Sequence, residues 1–482
     1  MIGSMEKYTC SINRIRRQPW FLKIILIVLI SFCIQILPVH ALTPQEEETI
    51  SKEFMNIIFN YYERVEDPMI TSYVEGIGRR IAQTLPPQPF EYNFYVIKED
   101  SFNAFATPGG HIFIHTGLIL KLDSEEELAG IMAHEIAHVS LRHIAKGAEF
   151  SKRVGMGTLA GMALGLALAL TGIGALATAA FMGSMAAGQT AQLSYSRQNE
   201  SQADQFGLTY LTNTGYNIKG FANSFQKMRA QQWWDSKSIP PYLLTHPMSD
   251  DRWNTVESYL ETHPHQPPNV NPKHYNQVKV ETLALYTEPN TALKYFEQGM
   301  KIDPGNFLYP YGQGMVLARL NRNQEAIATF QKSLSLNALD PYALKELSKL
   351  YYKLEGVQKA LPLAQSALHL SPNDPELLYL LARFESSLGH YDTARNYIQI
   401  LLDKNLRYPK AYLELGTVSE KLGNLSESSY YLGIYNQEIG KLDVSRRHLQ
   451  KAVETLPEGE KKQDATDRLK IVQEVLKQLQ RG

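Results

Sequence analysis

The sequence predicts two folded regions of different class: a helical α+β domain with a small sheet over residues 42–262, then an all-α solenoid over 274–482. Three observations predict this. His134-Glu135-Ile136-Ala137-His138 places two histidines one helical turn apart, small residues recur every 34 positions from Ala292 to Ser428, and a proline-rich break at 263–273 separates the two patterns. At 482 residues and about 100 to 200 residues per domain, the chain is long enough for both regions to bury a core. Lys plus Arg number 48 against 49 for Asp plus Glu, a net charge of -1, so no global basic field is present to hold nucleic acid. With 44% hydrophobic and 20% charged residues, the composition excludes both a disordered chain and a multi-span membrane protein.

Residues 1–41 read as a cleaved signal peptide. Arg14, Arg16, Arg17 and Lys23 form a positive n-region, 24–37 is an uncharged apolar stretch, and Val39-His40-Ala41 offers a cut site. The apolar stretch is shorter than the ~20 residues that span a bilayer. Both cysteines, Cys10 and Cys33, fall inside this segment, so the mature chain has none, which suits an oxidising, periplasm-like compartment.

The first region carries the chemistry. Ser124, with Glu127 three residues on, is a capping box just before an apolar run, which puts the H-E-x-x-H on a helix. There the His134 and His138 imidazoles point the same way and suit two nitrogen ligands to one zinc ion, with Glu135 beside them to take a proton from a metal-activated water. A catalytic zinc needs a third protein ligand and an open position. In Asn199-Glu200-Ser201-Gln202-Ala203-Asp204, Glu200 and Asp204 lie one turn apart on one helix face, so Glu200 can bind metal while Asp204 accepts an N–H from a ligating histidine.

His263-Pro264-His265-Gln266-Pro267-Pro268-Asn269-Val270-Asn271-Pro272 has four prolines in ten residues, which removes backbone donors and bars helix. Beyond it, Ala292, Ala326, Ala360, Ala394 and Ser428 stand 34 residues apart at every step, the period of the tetratricopeptide repeat. Gly314 and Gly416 hold the small position of the first helix, and Phe296 and Phe330 the aromatic that follows the alanine. After Ser428 the register shortens into a terminal cap. Stacked helix pairs leave a concave groove that binds protein or peptide.

Three stretches together, residues 103–112, the H-E-x-x-H and 199–204, resemble the HtpX-like and CAAX-prenyl-protease superfamily of gluzincin metallopeptidases. With a signal peptide and a C-terminal repeat array, the architecture resembles its periplasmic BepA-like branch, the β-barrel assembly-enhancing proteases. The resemblance implies a zincin-like fold, with strands around Asn103-Ala104-Phe105-Ala106-Thr107-Pro108-Gly109-Gly110 flanking the cleft; Asn103, Ala104 and Phe105 would then form a substrate-binding edge. The bare residues read equally as a plain hairpin with a Pro-Gly-Gly turn. The resemblance also implies that His246, in Thr245-His246-Pro247, occupies the fourth zinc position as a reversible plug, and that Arg252 either stabilises an oxyanion or anchors that loop by an ion pair. Tyr242, Trp233, Trp234, His143 and His111 are expected to serve packing and structure. Residues 154–196 hold no charge and many glycines, long enough for a membrane hairpin; a lid that touches a membrane surface is the favoured reading.

The expectation is an exported, periplasmic zinc endopeptidase with one Zn2+ per chain, held by His134, His138 and Glu200, with Glu135 as general base and Asp204 supporting a ligand. Its implied role is quality control of outer-membrane β-barrel proteins. Unfolded or misassembled outer-membrane proteins would be substrates, and the repeats would dock on the assembly machinery. Two rivals differ in class: a non-catalytic repeat scaffold with a structural zinc, indifferent to Glu135→Gln, and an integral membrane protease.

Overall fold

The computed structural model describes residues 44–146, 197–234, 241–263, 270–403 and 408–479. The expected signal peptide at 1–41, the uncharged stretch at 154–196 and most of the proline-rich break lie outside these residues, as do the side chains of Trp233 and Trp234.

Two helices open the fold. In α1 (Pro44–Tyr61) the apolar residues Ile50, Phe54 and Ile58 repeat at four-residue spacing and are fully buried. Helix α2 (Pro68–Ala82) starts at Asp67, whose carboxylate accepts from the N–H groups of Met69 and Ile70, with Pro68 at the first helical position. A small sheet follows, of β1 (Asn93–Ile97), β2 (Ala104–Thr107) and β3 (His111–His115), in the order β1-β3-β2. Strand β1 runs parallel to β3, while β2 and β3 form an antiparallel hairpin pairing Ala104 with Ile114 and Phe105 with Phe113. Pro108-Gly109-Gly110 makes its turn as the sequence predicts; Gly109 and Gly110 have φ of 82° and 89°, and a Cβ on Gly110 would lie 2.3 Å from the Glu91 carbonyl oxygen.

Helices α3 (Thr116–Lys121), α4 (Glu125–Ser140), α5 (Arg197–Thr214), α6 (Lys219–Trp234), α7 (Pro241–Thr245) and α8 (Asp250–Thr262) complete the first region. Helix α4 is buried along nearly its whole length, which explains why its sequence shows little amphipathic pattern. Two glycines admit its neighbours. A Cβ at Gly130 would stand 2.9 Å from the Phe221 Cα of α6, and one at Gly207 of α5 would stand 3.3 Å from the His134 nitrogen.

Helix α9 (Pro272–Tyr286) begins inside the proline-rich stretch, capped by the Asn271 side chain, which accepts from the Lys273 N–H. It belongs to both halves. Tyr275 and Val278 lie in the core of the first region, and the Tyr275 hydroxyl donates to the Ile119 carbonyl at 3.0 Å. Val280 and Ala284 lie in the core of the repeats. The expected boundary at 274 therefore runs through a shared helix.

The repeats form α10 (Pro289–Ile302), α11 (Leu308–Arg319), α12 (Asn323–Leu336), α13 (Pro341–Leu354), α14 (Val357–Leu370), α15 (Pro375–Ser387), α16 (Tyr391–Asp403), α17 (Pro409–Lys421), α18 (Leu425–Glu438), α19 (Leu442–Thr455) and α20 (Glu460–Leu479). The 34-residue positions Ala292, Ala326, Ala360, Ala394 and Ser428 fall on α10, α12, α14, α16 and α18 and are all buried. Gly314 packs under Phe330, where a Cβ would meet the ring at 2.8 Å. The small residue of one helix and the aromatic residue of the next thus form one contact within a single repeat.

Candidate metal centre

Helix α4 starts as a capping box predicts, with a variation. Ser124 Oγ accepts from the Glu127 N–H at 3.3 Å, but the Glu127 carboxylate turns back to the Asp123 N–H, at 2.7 Å, one residue earlier than the box requires. Ten residues on, His134 and His138 project from one side, with their Nε2 atoms 3.0 Å apart. Gly207, two turns after Glu200 on α5, is where that helix presses on the α4 backbone, and this approach delivers Glu200 to the imidazoles. Glu200 Oε1 lies 3.3 Å from His138 Nε2, and Oε2 3.5 Å from His134 Nε2. One turn further, Asp204 Oδ1 lies 3.0 Å from His134 Nδ1, an ion-pair distance.

His246, just past α7, closes the group. Its Nδ1 is 3.1 Å from Glu200 Oε1 and 3.3 Å from His134 Nε2, and its Nε2 is 3.5 Å from Glu135 Oε1. Donor atoms of His134, His138, Glu200 and His246 all fall within 4.8 Å of one another, and all four residues are buried. Two imidazole nitrogens face each other at 3.0 Å beside a carboxylate, all of them buried. A cation is the partner that their lone pairs fit.

Burial alone would lower the His134 pKa, but Asp204 and Glu200 carry it up to about 9. His138 falls well below its ordinary value because burial outweighs its carboxylate neighbour. Burial pushes Glu135 up. Burial would also raise Glu200 and Asp204, yet His246 and Arg252 hold Glu200 well below the carboxylate range and Arg252 lowers Asp204.

Arg252 serves as the anchor of the loop. Its Nε and one terminal nitrogen donate to the two Asp204 oxygens at 2.6 and 2.7 Å; the other terminal nitrogen reaches Glu200 Oε2 at 2.8 Å and the Pro247 carbonyl at 2.9 Å. All three guanidinium nitrogens are thus engaged by carboxylates and a carbonyl.

Two residues expected to serve structure alone instead touch the cluster. The Tyr242 hydroxyl donates to Glu135 Oε1 at 3.1 Å, and its ring stacks on His246 with centroids 4.4 Å apart. The other Glu135 oxygen, Oε2, has no hydrogen-bond partner among the described residues. His143 Nδ1 lies 3.1 Å from His138 Nδ1, and burial lowers the His143 pKa. Neither contact has a sequence signal beyond a polar aromatic residue near a motif. His111 pairs with Tyr95 and stays out of the group. Of the expected substrate edge, Ala104 and Phe105 lie in β2, at one end of the sheet order, with Asn103 just before it; the Phe105 side chain faces the core, stacked on Phe113.

Residues 68–264 match the model of peptidase family M48, and 311–375 and 357–417 match tetratricopeptide repeat models. The His/His/Glu/His cluster lies within the residues that match the M48 peptidase model. The chain resembles proteins named beta-barrel assembly-enhancing protease. One, from Yersinia pestis, is 26% identical over 432 residues, 80% of this chain and 87% of the relative. A Vibrio cholerae relative is 32% identical over 292 residues, 59% of each chain. The crystal structure of MamA matches 32% of this chain and 90% of its own, at 20% identity and a TM-score of 0.29.

Proposed function

We propose that the chain is an exported zinc endopeptidase, latent at rest, that degrades unfolded or stalled outer-membrane β-barrel proteins in the periplasm and assists their assembly. The observation that carries this reading is the set of four buried donor residues converging within 4.8 Å beside Glu135. His134, His138 and Glu200 would hold the ion, and two imidazoles with one carboxylate favour zinc. Bound there, zinc supplies Lewis acidity, polarising a carbonyl and making water a better nucleophile.

Glu135, kept dry and with its pKa raised, takes the proton of the attacking water and returns it to the leaving amide nitrogen. Asp204 fixes the His134 tautomer, and Arg252 holds Asp204 in turn. His246 would occupy the position left open on a bound ion, and Tyr242 covers one oxygen of Glu135. Because the two rings stack and sit on one short segment, a single displacement of α7 clears both the metal and the base. Strand β2 stands at the end of the sheet order, but all four of its residues are buried, so strand addition there would need the chain that covers it to move aside. The names of the relatives support the substrate class, and the repeat groove supports docking on the assembly machinery.

The test is cleavage of an unfolded protein by residues 42–482 at fixed zinc, comparing wild type, Glu135→Gln and His246→Ala. His246→Ala is expected to cut fastest and Glu135→Gln to be inactive at unchanged zinc content. Equal rates for wild type and His246→Ala would remove the plug, and no cleavage by any of the three across several unfolded substrates would remove the peptidase.

A further inference from the structure

We propose that Gln202 and His143 act as positioning residues: through two successive hydrogen bonds they fix the tautomer of His138 and thereby turn its Nε2 lone pair toward the metal. The inference rests on the metal-site reading above and extends it by two residues.

The chain takes trouble to place His143. After α4 ends, Arg142 adopts a φ of 56°, a left-handed conformation that costs a non-glycine residue about 1 to 2 kcal/mol. The Arg142 guanidinium is held by Glu47 at 2.5 Å, and the Arg142 backbone N–H donates to the Val139 carbonyl at 2.9 Å. The reversal folds His143 back against His138, the rings inclined at 74° with Nδ1 facing Nδ1 at 3.1 Å. On its far side, His143 Nε2 lies 3.1 Å from the Gln202 side-chain oxygen. Gln202 sits on α5 between Glu200 and Asp204, so the helix that supplies a ligand also supplies the first member of the chain.

Two imidazole nitrogens 3.1 Å apart share one proton, and its owner decides what His138 can do. If His143 donates, His138 carries its proton on Nε2, aimed at His134 and Glu200, with no lone pair for an ion. If His138 donates from Nδ1, its Nε2 is free to ligate. Gln202 makes the choice: its amide oxygen accepts from His143 Nε2–H, which leaves Nδ1 of that ring as an acceptor. The opposite amide orientation would reverse both bonds and close the site to metal.

The two ligating histidines are thus oriented by different means. His134 has a carboxylate behind it, Asp204. His138 has another imidazole behind it, His143, which orients it without adding a carboxylate to a pocket where Glu200 and Asp204 already share the Arg252 guanidinium.

The test compares wild type, Gln202→Met, which removes the acceptor, and Gln202→Glu, which keeps one. Histidine 15N spectra of the metal-free protein report the tautomer, and competition with a chelator reports zinc affinity. In wild type and Gln202→Glu, His138 is expected to be protonated on Nδ1. In Gln202→Met both tautomers are expected, with zinc affinity about 10- to 100-fold weaker, as for loss of other groups that orient metal ligands. An unchanged tautomer and affinity in Gln202→Met overturns the proposal, as does equal weakening in Gln202→Glu. Failure of wild type to take up zinc would count against the metal site instead, and the metal-free spectra would still decide the relay.

Discussion

Replacing Arg252 with methionine leaves the size of the side chain but removes the only guanidinium that contacts Asp204 and Glu200 among the described residues. Arg252 is 4% exposed, Glu200 1% and Asp204 0%, so solvent screens none of these charges appreciably. Removing one partner of such a buried pair costs about 3 to 5 kcal/mol, because the stranded carboxylates stay desolvated. For a unit of this size about 2 to 4 °C accompany each kcal/mol, so the unfolding midpoint is expected to fall on the order of 10 °C. Bound zinc restores positive charge beside Glu200, so the loss should be larger in the chelator-treated protein than in the zinc-loaded one. Thermal unfolding followed by circular dichroism, with and without zinc, measures both. Asp204→Asn on the Arg252→Met background should recover part of the loss, since it removes one stranded charge. A midpoint within 1 to 2 °C of wild type in both states would refute the anchor argument, and a selective fall in kcat at unchanged stability would return Arg252 to an oxyanion role.

Other outcomes follow from the same structure. His115 is fully buried and its pKa is lowered to about 3 by that burial, so the fold holds it neutral. Its contribution is complete above the unfolded value of 6.5 and is lost as pH falls from there toward 3, at about 1.4 kcal/mol per pH unit; urea unfolding of metal-free protein between pH 7 and 5 should show this slope, and His115→Gln should flatten it. Gly314→Ala drives a Cβ into the buried Phe330 ring and should destabilise the repeats by about 1 to 3 kcal/mol while zinc uptake persists. Stripping metal from the wild type should lower stability by about 4 kcal/mol relative to zinc at a thousand times its Kd, and Glu200→Gln should abolish most of that difference.

The parts of this molecule legible in the sequence are those with a local period. The four-residue step between His134 and His138, the same step between Glu200 and Asp204, and the 34-residue step of the repeats each announce a helix face without reference to anything distant. His246 has no such period: it meets His134 across 112 residues, from a turn that looks like any other His-Pro. Tyr242 and His143 were hidden for the same reason, since a contact made by chain reversal or by a short helix leaves no pattern. The shared role of helix α9 is not legible in the sequence, because Gln277, Glu281 and Thr282 are buried on it alongside its apolar residues. Burial on two sides with polar groups inside erases the stripe that would mark either face.

The position of α9 limits how freely such a protein can be rearranged. A shuffling event, or a protein engineer, that joined this peptidase to a different repeat array at the prolines would remove Tyr275 and Val278 and leave an opening beside α3. A viable exchange has to fall after Tyr286, carrying the helix along as part of the peptidase, and the incoming array must then accept Val280 and Ala284 as its first layer. Lineages that keep the two halves together would therefore be expected to vary the distal repeats, where α19 and α20 end the stack, long before they vary the joint.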